Sequence, residues 1–182
     1  MFERSRVLQS AFNLVVGFIM FGLFATAQSA DLKIGDKSPE FNLLNQAGET
    51  ISLNQYNDKW VVLYFYPKND TPGCTEEACS FRDNINRLIA QKAVVLGVSL
   101  DSQESHADFA KKHELPFNLL ADESAEVTKQ YGALLDLKVI KFAKRHSFII
   151  DPQGNIAKIY RNVNPKEHVR DVMKEINRLQ SN

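Results

Sequence analysis

The feature that most constrains this chain is a strand, a loop and a helix written in succession in its second third. Trp60-Val-Val-Leu-Tyr-Phe-Tyr66 is an apolar run of β-branched and aromatic residues, and Pro67-Lys-Asn-Asp-Thr-Pro-Gly73 follows with dense turn chemistry. The pair predicts a buried strand that ends in a loop. From Thr75 onward, apolar residues recur at Ala78, Phe81, Ile85, Leu88 and Ile89, spaced mostly by three or four, which predicts a helix with one buried face. Glu76 and Glu77 lie in its first turn, where carboxylates complement the positive end of the helix dipole.

The alternation continues. Strand patterns at Ala93 to Ser99 and Phe117 to Leu120 are interleaved with helical ones at Ser102 to His113 and Ser124 to Tyr131. His146 to Ile150 and Ile156 to Tyr160 read as a hairpin-like pair about Asp151-Pro-Gln-Gly154, and Pro165 to Leu179 as a helix with proline near its start. Before Trp60, Phe41-Asn-Leu43 and Thr50-Ile-Ser-Leu53 flank Asn45-Gln-Ala-Gly48, predicting a small N-terminal hairpin. The sum is an α/β domain of three layers with a mixed sheet, and in such sheets ligands gather at the carboxyl ends of strands, where the loop after Tyr66 sits.

Phenylalanine crowds the start, with five of the 12 falling at positions 2, 12, 18, 21 and 24. Arg4 and Arg6 precede an apolar stretch from Ala11 to Ala25, too short at about 22 Å of helix for the roughly 30 Å hydrocarbon core of a bilayer. Ala25 and Ala27 fit the −3 and −1 sites of a signal peptidase. Residues 1–27 are therefore expected to be a secretory signal, with the cut falling no later than about residue 30, and residues 31–182 to be one domain. The mature chain would be periplasmic or secreted; left uncleaved, the same segment would anchor it to the inner membrane. The full chain balances 22 basic against 22 acidic side chains, so no basic field exists to gather nucleic acid. About 150 residues bury enough surface to fold without covalent staples, so the two cysteines, Cys74 and Cys79, need not be structural. In an oxidising compartment such a pair is commonly a disulfide, in the cytosol redox or metal chemistry, and compartment alone does not choose.

Cys74 falls where the helix begins, and free backbone N–H groups there favour a thiolate, the reactive form of cysteine. Thr71 stands three residues upstream across the Pro-Gly turn, within reach of the sulfur or of an oxygen bound beside it. The segment Pro67-Lys-Asn-Asp-Thr71-Pro72-Gly73-Cys74 resembles the Pro-x3-Thr-x2-Cys motif of the peroxiredoxins, and the step to Cys79 is similar to that of the bacterioferritin comigratory protein, or peroxiredoxin Q, subfamily. Order and length agree from about Leu32 to Leu179, including Arg145-His-Ser-Phe-Ile-Ile-Asp151, which resembles the strand carrying the family's active-site arginine.

The resemblance implies a thioredoxin-like α/β/α fold and a thiol-dependent peroxidase acting on hydrogen peroxide and organic hydroperoxides. By residue-wise correspondence Cys74 would be the peroxidatic cysteine, Cys79 the resolving cysteine, and Thr71 and Arg145 the groups that orient the peroxide. It implies an intramolecular disulfide reduced by thioredoxin or a thioredoxin-like dithiol, a monomer, and no cofactor or metal. On an ideal helix two Cα atoms five residues apart lie about 8.7 Å from each other, beyond the roughly 7 Å a disulfide spans, so closure demands local unwinding.

Other readings stand beside these. The cysteines fit a permanent cross-link, although its loop is so short that it would stabilise by only about 2 kcal/mol. A thiol-disulfide exchange protein is a further alternative, but it normally shows Cys-x-x-Cys. Arg145 fits an ion pair at a strand end, Thr71 a simple turn former, Glu77 a dipole partner or a holder of the arginine, and Arg82 a partner for a nearby acid. His106 and His113 are read on one polar helix face, His146 and His168 as isolated, and no cysteine and histidine share zinc spacing. Tyr64 and Tyr66 are read as core, with Tyr66 able to line a pocket.

Overall fold

The computed structural model describes residues 31–181. The expected leader and its cleavage site lie outside the described residues. In chain order the elements are β1 (Asn42–Asn45), β2 (Thr50–Ser52), a 3-10 turn (Leu53–Tyr56), β3 (Trp60–Phe65), α1 (Pro72–Asp83), α2 (Ile85–Ala90), β4 (Ala93–Ser99), α3 (Gln103–Lys112), β5 (Asn118–Ala121), α4 (Glu126–Gln130), β6 (Leu134–Asp136), β7 (Lys141–Ala143), β8 (Ser147–Ile150), β9 (Ile156–Tyr160) and α5 (His168–Gln180).

A seven-stranded sheet runs β2-β1-β5-β4-β3-β8-β9. β3 pairs in parallel with β4, and β4 with β5; β8 and β9 continue one side antiparallel, and the expected N-terminal hairpin of β1 and β2 joins β5 antiparallel on the other. The uninterrupted apolar sequence of β3 follows from burial on both faces. Its residues alternate between two cores as pleating requires. Val62 and Tyr64 join Phe81 of α1, Leu88 of α2, Phe109 of α3 and Val172 of α5; Val61, Leu63 and Phe65 meet Phe41, Leu53, Val127 of α4 and Tyr131. The three-layer expectation holds.

Gly97 in β4 matters for what lies above it. A Cβ there would come within 2.8 Å of the Tyr64 ring, so the bare backbone lets that ring lie against the sheet. Tyr64 then stacks under Phe81 at a centroid distance of 4.9 Å. Full burial of Phe81 contributes about 2–3 kcal/mol and sets the height of α1 over the sheet.

Several boundaries differ from those expected. α1 begins at Pro72 rather than Thr75, because proline at the first helical position gives up an N–H that would have no helical partner anyway. The single helix expected through Ile89 is broken at Asn84, whose side-chain amide donates to the Ser80 carbonyl (2.9 Å) and competes with the helical ladder. α4 starts at Glu126 because Ala125 is left-handed (φ 62°) and the Asp122 carboxylate accepts from the Thr128 N–H at 2.6 Å. α5 starts at His168, after a turn in which the Asn164 carbonyl takes the His168 N–H. The β6–β7 hairpin was not foreseen; its strands are three residues each and its exposed tip carries Leu137, Val139 and Ile140, which hides any alternation. His106 is fully buried rather than on a polar face. Its Nε2–H donates to the Leu120 carbonyl (3.1 Å), its Nδ1 accepts from Asn69, and burial lowers its pKa.

Candidate active site

The loop leaving β3 is built to hold one shape. Tyr66 O–H donates to Asn69 Oδ1 (2.8 Å), Asn69 Nδ2 donates to Ser105 Oγ (2.9 Å), and the Asn69 backbone N–H donates to Asp101 Oδ2 (2.9 Å). These bonds tie the loop to the start of α3. Asp70 then takes a left-handed conformation (φ 56°), which a short polar side chain tolerates, and the chain turns through Thr71 into α1.

Cys74 therefore sits in the first turn of α1, as expected, with only 2% of its surface exposed. Arg145, just before β8, reaches it: Nη2 donates to Cys74 Sγ at 3.2 Å. The other end of the same guanidinium donates from Nη1 to Glu77 Oε2 at 2.9 Å, and the second Glu77 oxygen accepts from His168 Nδ1 at 2.7 Å. Glu77 and His168 are both almost completely buried. Three separated stretches of chain thus meet in one row of sulfur, guanidinium, carboxylate and imidazole. Gly73 makes the approach possible, since a Cβ there would lie 2.9 Å from Arg145 Nη2.

Beneath the row lie Tyr64 and Tyr66. Burial, with the neighbouring phenol, carboxylate and sulfur groups adding to it, pushes the Tyr64 hydroxyl well above its ordinary range; burial does the same to Tyr66. Both phenols stay neutral, and the floor is of low polarity, where a hydrogen bond to a charged group is stronger than in water.

The other expected residues lie apart from that row. The Thr71 hydroxyl donates to the Lys68 carbonyl at 3.0 Å, which stiffens the loop and leaves its oxygen free to accept. Cys79 is on the same helix, partly exposed, with Sγ 4.0 Å from His113 Nδ1. Both cysteines are free thiols, on one intact helix, as the expected need for unwinding assumed. Arg82 belongs to the Cys79 end, donating to the His113 carbonyl (2.8 Å) and to Asp83 (2.8 Å). Of the two roles weighed for Glu77, holding the arginine is the one realised. His168 was missed because nothing local in the sequence announces that the first residue of a C-terminal helix packs on Glu77.

A sulfur at a helix start, with a fixed cation donating to it in a nearly dry setting, suits nucleophilic attack that displaces an anion. Residues 34–159 match the AhpC/TSA family. The chain is 41% identical over 151 residues to peroxiredoxin Bcp of Bacillus subtilis, covering 80% of this chain and 95% of that protein. It is 40% identical over 146 residues to the chloroplastic peroxiredoxin Q of Sedum lineare, covering 80% and 78%. Among solved structures, peroxidoxin BcpB of Mycobacterium tuberculosis superposes with a TM-score of 0.76 at 30% identity, covering 80% of this chain and 97% of that one. A cysteine-to-serine variant of PrxQ from Xylella fastidiosa gives 0.78 at 29%, covering 83% and 99%. With its sulfur, arginine and thioredoxin-like sheet in place, the chain belongs to the AhpC/TSA family as a peroxiredoxin of the Bcp and peroxiredoxin Q kind, a thiol-dependent peroxidase.

Proposed function

We propose that Cys74 attacks the hydroperoxide and that Cys79 resolves the product. The Cys74 thiolate bonds to the terminal oxygen of ROOH, the O–O bond breaks, and the departing oxygen leaves as RO⁻ and takes a proton to become ROH. Cys74 is left as a sulfenic acid. Arg145 holds the sulfur before the step and offers N–H donors to the oxygen that gains charge during it, so it lowers the barrier more than it stabilises the reactants. Glu77, itself held by His168, keeps the guanidinium aimed. The Thr71 hydroxyl, fixed at the rim, accepts from the peroxide O–H and orients it.

α1 then unwinds at its start, and the Cys79 sulfur displaces water from the sulfenic acid to form the 74–79 disulfide. Thioredoxin or a thioredoxin-like dithiol returns both thiols and is itself oxidised. Hydrogen peroxide and organic hydroperoxides are the substrates. The leader read from residues 1–27 exports the chain, so that it works as a periplasmic or secreted monomer and draws electrons from an exported dithiol carrier.

The observation that carries the reading is the 3.2 Å contact of Arg145 with Cys74 at a helix start. Peroxide consumption by the full chain with a dithiol reductant tests it. Cys74→Ser is expected to abolish consumption; a variant that retains it would move the chemistry elsewhere. Insulin reduction without peroxide would favour the exchange-protein alternative.

A further inference from the structure

The surroundings of Cys79 form a second row of groups that the peroxide-cleaving step does not use. His113 follows the last turn of α3 and meets the Cys74–Cys79 helix and the loop before it through three atoms. Its carbonyl accepts from Arg82 Nη1 at 2.8 Å, its Nδ1 lies 4.0 Å from Cys79 Sγ, and its Nε2 lies 3.3 Å from Asp70 Oδ1. Phe109 packs edge-on against the ring with centroids 4.9 Å apart and fixes its plane.

The carboxylate sets the tautomer. Asp70 accepts from Lys112 Nζ at 2.7 Å and from His113 Nε2, and the Lys112 bond, with His113 adding less, holds its carboxyl below the usual range. An anionic Asp70 accepts from Nε2–H, so Nδ1 is the ring nitrogen left without a proton to face the thiol. The charged groups around this imidazole are Asp70 from the active-site loop, Arg82 of α1, itself paired with Asp83, and Lys112 and Glu114 on either side of it in the chain.

Resting on the reading of Cys79 as the resolving thiol, we propose that His113 is a catalytic residue of resolution, the base that takes the Cys79 proton, with Asp70 as its positioning residue. The proton balance is complete without another reactant. Cys79 S–H gives its proton to Nδ1; the thiolate attacks the Cys74 sulfur as the S–O bond breaks; the hydroxide released takes a proton from the imidazolium and leaves as water. Thiol-to-imidazole contacts of this kind are commonly long at rest and shorten in the reacting state. His113 also spans the two segments that must separate when α1 unwinds, so its proton is gained where that motion starts.

Rapid-quench mixing of the reduced full chain with hydrogen peroxide, followed by alkylation and peptide mass mapping, resolves loss of the Cys74 thiol from appearance of the disulfide. His113→Asn is expected to slow disulfide formation about 100-fold so that sulfenic acid accumulates, and Asp70→Asn about tenfold. The rate of that step in His113→Asn should go on rising with pH after the wild type has levelled off. Added imidazole should restore part of the rate in His113→Ala. Disulfide formation as fast as or faster than wild type in His113→Asn would overturn the proposal. So would an equal slowing in Arg82→Gln, which frees the same helix from α3 without touching the thiol. A wild type that never forms the 74–79 disulfide would instead defeat the reading of Cys79 itself.

Discussion

The two cysteines of α1 are held in opposite ways. At Cys74 the sulfur is buried, a guanidinium donates to it, and a buried carboxylate and imidazole fix that guanidinium. At Cys79, five residues and about one and a half helical turns further on, the sulfur is partly exposed and its neighbour is an imidazole backed by a solvent-facing carboxylate. A fixed cation suits an atom that must carry charge while an O–O bond breaks. A group that gives and takes a proton suits a thiol that must lose one and then move. One short helix can serve both because its first two turns carry the chemistry while Phe81 anchors its last turn.

The largest expected effect comes from removing the cation. Arg145→Leu should slow Cys74 oxidation by about 10²–10³, measured by stopped-flow with hydrogen peroxide. An effect under threefold would erase the distinction between the two sulfurs. Glu77→Gln leaves the partly buried guanidinium without its anion and should slow the same step about tenfold, while lowering unfolding free energy by roughly 3 kcal/mol in denaturant titration. Gly73→Ala is milder. The added carbon presses on the movable end of Arg145, so peroxide reactivity should fall a fewfold, in keeping with a displaced donor, with the melting temperature little changed.

The smallest effect concerns His146, next to Arg145 in sequence, whose Nδ1 accepts from Arg161 (2.9 Å) and whose pKa is lowered to about 4, first by burial and then by Arg161 and Lys144. The native state binds this proton less readily than the unfolded chain, whose histidine titrates near 6.5. Stability contributed by neutral His146 is therefore full above about pH 6.5 and lost as pH falls toward 4, at on the order of 1 kcal/mol per pH unit. His146→Gln should flatten that part of a melting-temperature profile.

Sequence carried most of the fold because its signals were local and strong: the apolar run of β3, the helical spacing after it and the turn at Asn45 to Gly48. It did not show the β6–β7 hairpin, whose apolar tip faces water, or the break at Asn84, which one side-chain amide makes. For the site, Cys74 was legible from its place after a strand and a proline turn. That Arg145 touches it, that Glu77 holds Arg145 and that His168 holds Glu77 are contacts across 68 to 91 residues, which periodicity cannot reveal. His113 was read on a shared polar face with His106; the face in fact divides, with His106 sealed in the core and His113 turned toward Cys79.

The most direct test asks which sulfur receives the first oxygen. Reduced full chain is mixed with one equivalent of hydrogen peroxide in the presence of dimedone, and the adduct is mapped by peptide mass spectrometry. The adduct should sit on Cys74, in greater yield in Cys79→Ser because nothing removes the sulfenic acid. An adduct on Cys79, or recovery of both thiols unreacted, would contradict the assignment of the Arg145-held sulfur as the peroxide-cleaving one.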